Sequence, residues 1–203
     1  EFRSEFLYNN VQYLASGYAA GKVAGSDWNT LVEQRLLSPI GMDNTYTSWH
    51  RAPKDQQPIV GYQWDEDEDE FETFTLRTID NIGPAGAIVS TASDMAKWVR
   101  FHLGHGEIEG TRVISSEQHD RLWKSHFEIA PGIGYGFGWM LHERREGVYV
   151  VEHGGNVQGG SAALAMYPNE NLGFVLLMNV SASPLQQESI SIVRASMLGD
   201  IGG

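Results

Sequence analysis

Apolar positions recur at helical spacing in the first part of the chain. Val11, Leu14, Ala15, Tyr18 and Ala19 follow one another by three or four residues, and Gly21 and Gly25 weaken and then end the pattern, which predicts a helix directly after Asn10. Ser26 is placed to cap a second helix, with Trp28, Leu31, Val32, Leu36 and Leu37 on its inner side, stopped by the "SPIGM" of Ser38 to Met42. Periodicity is then lost from Thr45 to Ile82. It returns in "IGPAGAIVSTASDMAKWVRFHLGHG" as a Gly/Pro turn, a short buried segment, a Thr91-x-x-Asp94 cap and a helix with Met95, Trp98, Val99 and His102 inward, closed by Gly104 and Gly106. Ser115-x-x-Gln118 opens a further short helix carrying Leu122 and Trp123.

The period then changes. "GIGYGFGWML", Gly132 to Leu141, alternates glycine with larger side chains, which predicts a strand approached closely by another backbone. No helix follows it and its spacing is wrong for a dinucleotide-binding loop. "VYVVEH", "SAALAMY" and "LGFVLLMNV" read as strands, the last two joined by the turn "PNEN" at Pro168 to Asn171, and such short connections make neighbours antiparallel. Leu185, Ile192, Val193 and Met197 predict a closing helix over 184–198. The pattern is α+β: a mostly helical region over 1–130, then antiparallel strands and a packing helix over 131–203, all within one domain, with no internal repeat and no clear linker.

Composition narrows the function classes. With 203 residues and 41% apolar positions the chain can bury a core. A net charge of -12 and the lack of any basic run argue against nucleic acid or an anionic membrane surface as partner. "WDEDEDEFE", Trp64 to Glu72, carries consecutive like charges and is expected to be a solvated loop rather than a metal site. The absence of cysteine removes disulfides, thiolate metal sites and a cysteine nucleophile. The most apolar window, Leu172 to Val180, is far short of the roughly 20 residues of a membrane-spanning helix. The chain opens at Glu1 without a signal-like segment, so its natural N-terminus is expected to be missing or removed.

Three groups could carry chemistry. Tyr8 and Asn10 stand two apart before a helix; a tyrosine can act as a base if cations lower its pKa from about 10, and an amide can hold a substrate carbonyl, while packing and capping are the structural alternative. His153-Gly154-Gly155 ends a predicted strand, where an imidazole can titrate near neutrality and glycines admit a substrate to the backbone; a strand end followed by a turn is the alternative. His102, His105 and Glu107 could hold a metal, but cationic side chains facing a helix C-terminus account for them better, and His50, His119, His126 and His142 form no recognisable ligand spacing.

Taken in order, the motifs resemble the serine β-lactamase and penicillin-binding protein superfamily, on the branch that holds class C β-lactamases, D,D-peptidases, D-aminopeptidases and esterases. "FRSEFLYNNVQY" is similar to its Tyr-x-Asn element entering a helix, "LLSPIGMDNT" to its Pro-Leu-Gly-Met-x-x-Thr segment, "GPAGAIVSTASDMAKW" to its Gly-rich helix entry, and "HGGNVQGGSAALAMYPNENLGFVLLMN" to its sheet with the Lys/His-x-Gly element. The likeness runs over essentially all 203 residues. It implies a β-lactamase-like α+β fold and acyl transfer through a covalent serine ester, with no metal and no cofactor. It also implies roles: Tyr8 as general base and proton relay, Asn10 as substrate-orienting amide, His153 as the group that polarises the site, Gly154 and Gly155 as room for substrate, and the Asn156 N–H as one oxyanion donor.

Two departures qualify what the resemblance implies. The nucleophile of this family lies in Ser-x-x-Lys, which precedes Tyr-x-Asn, yet Lys22, Lys54, Lys97 and Lys124 are preceded three residues earlier by Ala19, Arg51, Asp94 and Arg121. The chain is therefore expected to be the C-terminal portion of such an enzyme, inactive alone, with the missing segment upstream or on a companion chain; an inactive pseudoenzyme or binding module is the competing class. Gly154 also stands where β-lactamases and D,D-peptidases usually carry Thr or Ser, whose hydroxyl helps bind a substrate carboxylate. A small-molecule or peptide ester or amide is accordingly expected as substrate, rather than a β-lactam. Relatives of this kind favour a place outside the cytoplasm.

Overall fold

A computed structural model describes residues 4–55, 59–75, 77–143, 147–181 and 184–199. Helix α1 (Asn10–Val23) begins at Asn9, whose side chain accepts a hydrogen bond from the Val11 N–H at 2.8 Å. The stripe that predicts this helix is not the face it buries: Val11, Ala15, Tyr18 and Ala19 are exposed, and the close contacts are made at Gly17 and Gly21. A Cβ at Gly17 would lie 2.3 Å from the Pro84 ring, and one at Gly21 would lie 2.8 Å from the Trp28 nitrogen. Small residues let neighbouring backbones approach α1 more closely than a leucine ridge would.

The next helix, α2 (Trp28–Val32), is capped by Asp27 rather than Ser26, its carboxylate accepting from the Thr30 N–H and hydroxyl. It runs through a wide turn over Glu33–Leu37 into α3 (Ser38–Ile40), which ends at Gly41 in the left-handed region. The aperiodic stretch that follows contains an antiparallel hairpin, β1 (Val60–Asp65) and β2 (Glu70–Thr75). Only residues 66–69 of the acidic run form the turn, where Asp65 accepts from the Asp67 and Glu68 N–H groups. The flanking acids alternate with Trp64 and Phe71, whose rings meet at 4.9 Å across the pair, and so continue into strands. After α4 (Gly83–Gly86), helix α5 (Ala92–Leu103) is capped by Thr91 as expected and turns Val99 and His102 inward. A two-residue hairpin, β3 (Glu107–Ile108) and β4 (Thr111–Arg112), leads to α6 (Ser116–Leu122), capped by Ser115.

The remainder is a meander: β5 (Phe127–Ala130), β6 (Ile133–Tyr135), β7 (Met140–Glu143), β8 (Tyr149–Val157), β9 (Gly160–Tyr167) and β10 (Leu172–Met178), hydrogen-bonded in chain order. The strand expected over 132–141 is divided between β6 and β7, because Gly138 is left-handed and a Cβ at Gly136 would sit 2.2 Å from the Leu122 carbonyl oxygen. β11 (Val180–Ser181) leaves the sheet to pair in parallel with β1, and α7 (Leu185–Leu198) closes the chain.

Alternation along β8 divides the core. Val151, with Leu141, Leu164 and Met166, faces Val99 of α5, whereas Val150, with Ala165 and Tyr167, faces Leu198 of α7. The sheet lies between the two helices. Val150, Val151, Met166 and Tyr167 are completely inaccessible, each aliphatic one contributing on the order of 1.5–3 kcal/mol by burial. Among the described residues no helix is long and apolar enough to cross a membrane.

Candidate active site

His153 lies within β8, not at its end, and the strand continues through Gly154, Gly155 and Asn156 to Val157. Its surroundings change at this point. β7 begins at Met140, which pairs with Glu152, so from His153 onward β8 keeps β9 on one side and has no β7 residue opposite it on the other. Alternate N–H and C=O groups of an antiparallel strand point to its two edges, so this stretch presents backbone groups to an open edge. Gly154, Gly155 and Asn156 are all exposed. A Cβ at Gly155 would meet nothing within 4 Å and one at Gly154 only the Ala162 oxygen at 3.4 Å, so the fold itself does not require glycine at either position. Gly159, by contrast, is left-handed in the turn to β9 and lies against Gly61, while Gly160 simply opens β9.

By strand alternation the His153 side chain shares a face with Val151, the face toward the helical region, and Tyr8 comes to it there. The segment before α1 is pinned across the sheet by Phe6, which packs on Tyr135 at 5.0 Å and on Phe127 at 6.1 Å. One turn later Tyr13 donates from its hydroxyl to that of Tyr135 at 3.2 Å. Between these anchors the Tyr8 ring lies over the His153 imidazole, centroids 6.3 Å apart and planes 29° from parallel. Asn10 opens α1 two residues on and is exposed. The structure thus brings Tyr8 and His153 together, with Asn10 and the Gly154–Gly155–Asn156 edge adjacent to them in sequence.

Electrostatics keep both rings neutral. Burial, and then the neighbouring Tyr13, push the Tyr8 phenol above its ordinary range, so it holds its proton at neutral pH. Burial lowers the His153 imidazole, against a smaller opposing effect from its hydrogen bond with the Gly154 backbone, leaving it unprotonated there. Tyr8 is therefore a neutral phenol beside a neutral imidazole, not a pre-formed phenolate. Tyr13 and Tyr135 were not among the residues singled out from sequence. Tyr135 stands in the glycine alternation, where its only signal is that it is a large side chain among glycines, and burial pushes its phenol far above the ordinary range.

On the opposite face, Glu152 fixes the strand from below. It accepts from His142 at 2.9 Å and pairs with Arg194 of α7 at 3.6 Å, while Arg194 also donates to the Tyr167 hydroxyl at 2.9 Å.

The sequence model of the Beta-lactamase family matches residues 1–195 of the 203. The chain belongs to the beta-lactamase family. Among curated relatives, Unguisins hydrolase ungD of Aspergillus violaceofuscus is 26% identical over an alignment of 197 residues that covers 87% of this chain and 35% of that protein. Among solved structures, the octameric penicillin-binding protein homologue from Pyrococcus abyssi superposes with a TM-score of 0.81 at 23% identity, over 97% of this chain and 43% of the other. A D-stereospecific amidohydrolase from Streptomyces sp. gives a TM-score of 0.76 at 22% identity, over 93% and 54%. The fold is that of the beta-lactamase family, and the chain spans about a third to a half of the length of these proteins.

Proposed function

We propose that the chain supplies the tyrosine–histidine half of the acyl-transfer site of a serine hydrolase, acting on an ester or amide through an acyl-enzyme, with the nucleophile on a Ser-x-x-Lys segment outside these 203 residues, upstream or on a companion chain. The observation that carries this proposal is the stacking of Tyr8 on His153 beside a strand edge whose two glycines the fold does not need.

In this mechanism the serine oxygen attacks the substrate carbonyl carbon as its proton passes to Tyr8, and the Tyr8 proton passes on to His153. The developing oxyanion is held by the Asn156 N–H and by the N–H of the serine itself, and Asn10 orients the acyl group. The protonated pair then returns a proton to the leaving alcohol or amine, and water repeats the sequence in reverse to release the acid. Gly154 supplies no hydroxyl for a substrate carboxylate, which favours esters and amides over β-lactams. The curated relative is named as a hydrolase of unguisins and one structural neighbour as a D-stereospecific amidohydrolase, both compatible with amide hydrolysis.

The test uses the protein expressed from its complete reading frame, assayed on a p-nitrophenyl ester, a D-amino-acid amide and a cephalosporin. The expected result is turnover of the ester or amide, reduced roughly 10²–10⁴-fold by Tyr8→Phe or His153→Ala. Efficient cephalosporin hydrolysis would contradict the substrate preference. A second class is favoured by the absence of Ser-x-x-Lys and by the upward shift of Tyr8: an inactive module that binds such substrates without cleaving them, which the same assay separates.

A further inference from the structure

A second group of titratable side chains lies at the joint between α5 and α6. Here α5 stops at Gly104, and the chain reverses through His105 and Gly106, both left-handed, at φ 49° and 89°. A Cβ at Gly104 would stand 2.2 Å from the Glu107 carbonyl oxygen, so the reversal is tight. It carries His105 across to α6, where its Nδ1 meets Asp120 Oδ1 at 3.0 Å. The adjoining His119 is completely inaccessible and turns inward, edge-on to Trp123 at 4.5 Å. His102 is therefore a neutral core residue rather than a helix-end cation, and Glu107 is engaged by Arg112.

The hydrogen bonding of His119 is half complete. Its Nε2 lies 2.9 Å from Nδ1 of His102, and one proton suffices for that bond. Its own Nδ1 is buried with no hydrogen-bond partner among the described residues and stands 4.0 Å from Asp120 Oδ1. A buried nitrogen left without a partner is unfavourable. If the Nε2 proton of His119 is donated to His102, Nδ1 keeps a lone pair aimed at the space shared with Asp120 and His105.

We infer that His105, His119 and Asp120 bind one divalent transition-metal ion of the zinc class. One ring nitrogen from each histidine and a carboxylate oxygen of Asp120 all lie within 4.8 Å of one another. Around an ion with bonds near 2.1 Å, tetrahedral ligands stand about 3.4 Å apart, so a modest inward rotation closes the set. His105 and Asp120 are more than half exposed, whereas His119 is buried and fixed. Two imidazoles and a single carboxylate suit zinc and its late first-row neighbours, and are poor for magnesium or calcium, which need more oxygen ligands. His102 then acts as the outer partner that orients the His119 ring, taking its second N–H as partners of metal-bound histidines do. The fourth position opens to solvent between two exposed ligands. Bound there, the ion ties the end of α5 to α6, whose next residue, Trp123, accepts at its carbonyl from the Tyr149 hydroxyl of β8. The site uses none of the groups assigned to acyl transfer, so it stands or falls independently of that proposal.

The experiment strips the protein from its complete reading frame with chelator and titrates it with Zn²⁺ by calorimetry and with Co²⁺ by visible absorption. His105→Asn keeps a residue type that accepts the left-handed backbone, Asp120→Asn keeps shape, and His50→Gln, at an exposed histidine elsewhere, is the control. The expected result is one Zn²⁺ per chain, a melting midpoint raised by roughly 5–10 °C at a hundredfold excess over Kd, and an intense tetrahedral Co²⁺ band. Either ligand variant should weaken binding about tenfold or more and abolish the band, with the control unchanged. No stoichiometric binding, or a Co²⁺ band that persists in His105→Asn and Asp120→Asn alike, overturns the assignment. Melting of the metal-free variants shows whether either fold is impaired; if so, the Co²⁺ spectrum at a temperature where the variant is folded decides.

Discussion

Glycines that look alike in sequence separate by what a side chain would meet. A Cβ at Gly136 would strike a carbonyl oxygen at 2.2 Å and one at Gly61 would strike Gly159 at 2.6 Å, whereas Gly155 faces open space at an ordinary backbone angle. Gly155→Ala should therefore leave unfolding free energy within about 0.5 kcal/mol of wild type, as at an unencumbered surface position, yet lower kcat/KM of the complete enzyme at least tenfold, because the methyl occupies substrate space. Chemical denaturation and steady-state kinetics on the same sample check both, and a variant that loses stability and activity together would point to a structural role. His153 gives a second outcome at this scale. Its folded imidazole titrates below the ordinary 6.5, and the neutral form is the one that accepts a proton, so the acid limb of kcat/KM should fall below pH 6.5. A pH–rate profile checks this, and His153→Gln should remove the limb along with most of the activity. The residue types of this site were legible as a Tyr-x-Asn and a His-Gly-Gly. That they meet was not, because the link is Phe6 and Tyr13 reaching Tyr135, contacts made across more than a hundred residues by aromatics that carry no motif.

Elements with a single strong period were readable, and those shaped by close backbone contact were not. Helices α5 and α7 and strands β8 to β10 follow from apolar spacing and turn residues. The β1–β2 hairpin was hidden because acids fill its outward positions and its turn alike, and the break between β6 and β7 was hidden because it depends on where the Leu122 carbonyl lies. Asp94 illustrates how a correct cap can conceal a larger task. Its backbone N–H bonds to Thr91, but its buried carboxylate also accepts from the Asn44 N–H at 2.7 Å and the Thr45 hydroxyl at 2.9 Å, with Lys97 at 3.2 Å. The segment after α3 is thereby pinned to the start of α5. Asp94→Ala leaves those donors without their acceptor and should cost about 2–4 kcal/mol of stability, read from the midpoint of denaturant unfolding, while Asp43→Ala on the adjacent exposed position should cost little.

At the scale of the whole molecule, two surfaces lack a cover. β10 is bonded to β9 along one side only among the described residues, although it reads LGFVLLM, and the apolar stripe of α1 at Val11 and Tyr18 is exposed at 62% and 56%. A free apolar edge recruits other strands, so the isolated 203-residue chain should aggregate, checked by light scattering; a monomer that unfolds cooperatively at high temperature would contradict this. The proposed acyl transfer belongs to this scale too, since the chain holds Tyr8, His153 and an open strand edge but no Ser-x-x-Lys. The most direct measurement is labelling of the protein from its complete reading frame with a fluorophosphonate, followed by peptide mapping of the modified serine. One labelled serine is expected, in a Ser-x-x-Lys peptide outside these residues, with labelling slowed about a hundredfold or more by His153→Ala and none on the isolated chain. A labelled serine within the 203 residues, or labelling indifferent to both Tyr8→Phe and His153→Ala, would contradict it.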